Sequence, residues 1–132
     1  MIIEQMEVID KLQNTKSKQE INEISQKVLQ AAKDTLGERL EMVILYGSYA
    51  RGDYDKDSDV DFLVLANVPQ EDAGRWRDSI YECLPDLSLD YDILLSVKVT
   101  GSMTFNRYAN ILPYYMNVIR EGVVLYGEQR FT

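Results

Sequence analysis

The chain has 132 residues, 45% hydrophobic and 27% charged, the proportions of one soluble domain around one core. Its formal charge of −8, from 14 basic and 22 acidic side chains, argues against a surface that tracks a nucleic-acid backbone, because displacing counterions takes clustered Lys and Arg. Histidine is absent and Cys83 is the only cysteine, which excludes Ser-His, Cys-His and His-ligated metal chemistry, intrachain disulfides and thiolate clusters, and leaves carboxylates with a hard cation.

Residues 1–9 carry acids and no basic start, unlike a secretion signal, and residues 1–16 are expected to form an N-terminal extension to a domain over 17–132. No apolar run approaches the roughly 18 to 20 residues that cross a bilayer, so no membrane partner and a cytoplasmic location are expected. Ser17-Lys18-Gln19-Glu20 predicts a capped helix start, with an apolar stripe at Ile21, Ile24, Val28, Leu29, Ala32 and Leu36 and a stop at Gly37. Leu40–Tyr46 predicts a buried strand opening into a turn at Gly47-Ser48, and a second strand is expected over Asp59–Leu65. Ala73, Trp76, Ile80 and Leu84 repeat at helical spacing after Pro69. Leu89–Val97 predicts a third strand that sets Asp90 and Asp92 on one face and Tyr91, Ile93 and Leu95 on the other. A loop at Thr100–Thr104, a helical stretch over Phe105–Glu121 broken near Pro113, and an edge strand over Val123–Tyr126 complete the chain.

The chemistry concentrates between Tyr46 and Asp61. A strand that ends in Gly47-Ser48 lets backbone approach a phosphate, presents main-chain N–H groups where a helix begins, and adds one hydroxyl. Asp59 and Asp61, two apart on a strand, point the same way with Cα atoms roughly 6 to 7 Å apart, near enough to converge on magnesium. A third carboxylate from a neighbouring strand would complete the set, with Asp92 the first candidate and Asp90 the second. Arg51, taken alone, is more often a surface charge.

Two other readings of this stretch fail. Gly47 and Gly52 have the spacing of a P-loop, but Asp53-Tyr54 stands where Lys-Ser or Lys-Thr is required. The alternating aspartates from Asp53 to Asp61 suggest an EF-hand, yet the sixth position in the three frames is Ser58, Val60 or Phe62, never glycine, and the twelfth is Val64, Ala66 or Val68, never glutamate. Asp53, Asp55 and Asp57 read as solvated turn residues. Asp59 and Asp61 precede the apolar run Phe62–Leu65, and carboxylates at the mouth of a buried strand are costly without a cation.

Gly47-Ser48, ten intervening residues and Asp59-Val60-Asp61 together resemble the signature of the DNA polymerase beta nucleotidyltransferase superfamily, most closely its minimal nucleotidyltransferase (MNT) subfamily. The resemblance spans about Leu40 to Gly127, and Ile119–Tyr126 is similar to the usual close of such domains. It implies an α/β (α+β) fold with a small mixed sheet flanked by helices, Gly47-Ser48 holding the triphosphate of ATP with help from Arg51, and Asp59, Asp61 and Asp92 as catalytic magnesium ligands, with Asp90 an alternative to Asp92. It also implies a partner, a HEPN-domain ribonuclease toxin, to whose tyrosine this antitoxin transfers AMP; whether the protein forms a homodimer or a hetero-oligomer is left open by the sequence. Two alternatives stand beside it. In one, the protein neutralises its partner by contact alone through Tyr108, Tyr114, Tyr115 and Met116, residues whose helical spacing otherwise suits an ordinary core. In the other, it is a free-standing enzyme acting on a small molecule.

Overall fold

A computed structural model of the protein describes residues 17–55 and 57–128, so the expected N-terminal extension lies outside the described residues. The chain opens with α1 (Lys18–Leu36). Ser17 accepts from the Glu20 N–H while the Glu20 carboxylate accepts from the Ser17 N–H, the reciprocal cap the sequence predicts. Gly37, at φ 54°, ends the helix.

Then come β1 (Leu40–Tyr46), the one-turn helix α2 (Ser48–Arg51), β2 (Val60–Ala66), α3 (Ala73–Glu82), α4 (Leu87–Tyr91), β3 (Leu95–Gly101), α5 (Ser102–Tyr108), α6 (Pro113–Glu121) and β4 (Val123–Tyr126). The four strands form one mixed sheet in the order β3-β2-β1-β4. β1 runs antiparallel to both β2 and β4, whereas β2 and β3 are parallel and need the long α3–α4 crossover.

Helices cover both faces. On the first, Val43, Leu45, Val60, Phe62, Val64, Ala66, Val97 and Val99 pack against α1, α3 and Leu87 of α4. On the second, Met42, Ile44, Leu63 and Leu65 meet Phe105, Ala109 and Val118 from the α5–α6 arm. With both faces covered, β2 is apolar nearly throughout, which is why Phe62–Leu65 reads as an unbroken run. β3 is an edge strand, and its outer backbone is closed by side chains. The Tyr81 hydroxyl donates to the Leu95 carbonyl and accepts from the Val97 N–H, and the Gln70 amide oxygen accepts from the Gly101 N–H.

The third strand departs from expectation. Leu87–Tyr91 is helical, Asp92 turns the chain in a left-handed conformation at φ 51°, and the strand begins at Leu95. Asp90 and Asp92 favour caps and turns over pleated backbone, and Asp tolerates the left-handed region. The alternation that makes the strand lies later, where Val97 and Val99 enter the first core while Ser96 and Lys98 take the other face. Consequently α5 follows β3 directly, with no loop at 100–104. The helical break at Pro113 and the edge strand β4 agree with the sequence.

Candidate active site

Strand pairing sets Tyr46 opposite Asp61, and Asp61 opposite Ser96, so these residues form a row across β1, β2 and β3 at one end of the sheet. Two-residue alternation gives Asp61 the same face as Leu63 and Leu65, with Lys98 one step further in, beside Leu63. Asp61 is half-buried and Asp59, just before β2, is exposed. Burial pushes the Asp61 carboxyl above the usual carboxylate range and the neighbouring Asp59 adds to this; Lys98, Arg51 and a hydrogen bond from the Ser96 hydroxyl pull the other way.

Gly47 sits at φ 78°, a conformation that disfavours side chains, and a Cβ there would collide with the Asp61 carboxylate. The expected phosphate-binding turn is therefore packed directly against the expected metal-binding acid. Ser48 follows as the first residue of α2, and Gly52, left-handed at φ 90°, ends that turn of helix. Among the described residues between Gly52 and Asp59, side chains hold the backbone on either side of position 56. Tyr49 and Tyr54 stack at 4.3 Å, and Asp55 accepts from the Asp57 N–H and the Ser58 hydroxyl, the turn role expected of it.

Arg51 is engaged. Its guanidinium lies 3.2 Å from Asp53 and 3.2 Å from Glu121, tying the loop to the end of α6. These two carboxylates raise its pKa further.

Asp92 and Asp90 do not join this row. Both are exposed, Asp90 within α4 and Asp92 at its left-handed end, and the position beside Asp61 on β3 is held by Ser96. Among the described residues no group of three or more His, Cys, Asp or Glu is gathered as a metal site. The expectation of a strand-borne third carboxylate is corrected accordingly. The oxygens of Asp59 and Asp61 still suit magnesium, which takes one or two carboxylates together with substrate phosphates and water. A cation would also offset the burial of Asp61 and its crowding by Asp59, which together lift the Asp61 pKa.

Three site neighbours escaped the sequence reading. The Tyr114 hydroxyl donates to the Tyr46 hydroxyl at 2.7 Å, their rings edge-on at 5.7 Å, which anchors α6 to the row. The Lys98 ammonium lies 4.8 Å from the centre of the Tyr114 ring. Burial drives both phenols above their ordinary pKa, and Asp61 adds to it. In the sequence Tyr46 is a strand end and Tyr114 either a partner contact or helical core, and the one signal for Lys98 is its alternation with Val97 and Val99. Tyr114 and Tyr115 are half-buried against the second core, whereas Tyr108 and Met116 are 37% and 43% exposed.

The profile described as a nucleotidyltransferase domain matches residues 21–112. A Methanocaldococcus jannaschii protein named as a protein adenylyltransferase is 35% identical over 88 residues, 67% of this chain and 80% of its own. A second from the same organism, also so named, is 43% identical over 77 residues, 58% of this chain and 76% of its own. The protein adenylyltransferase MntA of Shewanella oneidensis is 33% identical over 59 residues, 45% of this chain and 40% of its own. A solved toxin-antitoxin structure with AMP-PNP aligns at a TM-score of 0.49 and 22% identity, over 79% of this chain and 73% of that one. With the profile covering most of its length, the chain belongs to the nucleotidyltransferase domain family.

Proposed function

We propose that this protein is an antitoxin that transfers AMP from ATP to a tyrosine of a HEPN-domain ribonuclease toxin. The observation that carries the reading is the packing of the Gly47 backbone against the Asp61 carboxylate, which supports reading the turn as a phosphate cradle beside a metal-binding acid. Relatives named as protein adenylyltransferases support a protein as acceptor.

In this reading Gly47 and Ser48 hold the outer phosphates, with Arg51, at the end of the same turn of helix, tied to Asp53 and Glu121. Asp59 and Asp61 would hold magnesium, which supplies charge neutralisation on the phosphates. The acceptor oxygen bonds to the α phosphorus as the bond to the bridging oxygen breaks, pyrophosphate departs and the phenolic proton passes to solvent. A phenol, with an unperturbed pKa near 10, gives up this proton without a third carboxylate more readily than an aliphatic alcohol does. Asp92, beyond α4, has no step assigned to it.

The test is the intact mass of the partner toxin after incubation with ATP, magnesium and this protein. Wild type is expected to add the mass of AMP and the Asp59→Asn/Asp61→Asn double variant to add none. Unmodified toxin with wild type, or modified toxin with the double variant, would refute the reading. If the double variant still silences the toxin at wild-type potency, the protein acts by contact alone.

A further inference from the structure

We propose that Lys98 is the protein's cation for the α phosphate of the bound nucleotide, a proposal that rests on the nucleotidyltransferase reading of the site. Lys98 and the Gly47-Ser48 turn flank Asp61 from opposite sides. The turn follows β1, one neighbour of β2, and Lys98 is on β3, the other neighbour. A triphosphate whose outer phosphates lie on the turn and which crosses Asp61 brings its α phosphate towards β3. There Ser96 is bonded to Asp61, and Lys98 is the next side chain on the same face.

Among the described residues, the other cation near the row is committed elsewhere. Arg51 spans Asp53 and Glu121, while Lys98 is exposed and forms no ion pair among the described residues, its ammonium resting over the Tyr114 ring. Through the edge bonds from Tyr81 and Gln70, β3 is held in place on both sides of Lys98, so the ammonium is carried on fixed backbone. An ammonium is a flexible point charge, suited to following one phosphate group through a change of geometry. The need is strong in a chain of net charge −8, where Asp59 and Asp61 face a polyanion. Tyr114, bonded to Tyr46 and stacked under Lys98, sets the height of the ammonium above the row.

Titration calorimetry with AMP-PNP and with AMP, in magnesium, tests this on the full chain. Lys98→Gln and Lys98→Met are expected to weaken both nucleotides by the same factor, about tenfold or more, the range of one charge-assisted contact. Lys98→Arg should stay within about threefold of wild type, since it restores the charge. Lys27→Gln, which removes one positive charge from exposed α1, should bind as wild type does. Two neutral variants within about twofold of wild type would overturn the proposal. So would a loss confined to AMP-PNP, which places the ammonium on the outer phosphates. Wild type that binds neither nucleotide would instead overturn the underlying reading, and the proposal with it.

Discussion

The two faces of the sheet are built from the same strands and do different work. The first is apolar from end to end: Val60, Phe62 and Val64 are each 0% exposed beneath α1 and α3. The second changes character along its length. Leu63 and Leu65 are as buried as anything on the first face, but one step beyond them the Tyr46, Asp61 and Ser96 row is half-open and polar. Stability is thus concentrated where periodicity is uninterrupted, and chemistry is placed where one face runs out of covering helix. Substitutions on the two faces should separate folding from function.

The largest separation is expected from Asp59→Asn/Asp61→Asn, which should lower AMP transfer by about a thousandfold or more, to no detectable product, while the protein stays folded, as judged by the intact mass of the toxin and thermal melting. Phe62→Ala should do the reverse, costing about 3 to 5 kcal/mol in denaturant unfolding while folded protein retains nucleotide binding. Gly47→Ala lies between them. Its positive φ and the collision with Asp61 should cost about 1 to 3 kcal/mol and also weaken AMP-PNP binding, seen by unfolding and calorimetry on one preparation.

The smallest effect concerns Asp61 alone. Because its folded pKa is raised above the unfolded value, the ionised carboxylate destabilises the fold, and the penalty appears as pH rises through the folded pKa. Without metal, Asp61→Asn should therefore melt slightly above wild type at pH 7. The gap should close in acid below the carboxylate range, and a gap that widens there would contradict the burial argument.

Much of this was legible in the sequence for definite reasons. The cap at Ser17, the strands around Val43 and Phe62 and the break at Pro113 follow from local chemistry and period, and the structure keeps them. Gly47, Ser48, Asp59 and Asp61 stand out as candidates because a short segment supplies all four. The third strand was misplaced because Asp90 and Asp92 mimic a two-residue period that α4 and a left-handed Asp92 use instead as helix and turn. Ser96, Lys98 and Tyr114 reach the row through the β2–β3 register and the docking of α6, long-range facts that no local pattern encodes.

Most direct as a test of the Gly47–Asp61 constellation is the magnesium dependence of AMP-PNP binding, measured by calorimetry on wild type and on Asp59→Asn/Asp61→Asn. Wild type should bind with magnesium and lose most of its affinity when the metal is chelated, and the double variant should show the weak, metal-independent binding of chelated wild type. Equal, magnesium-enhanced affinity in both proteins would contradict the account.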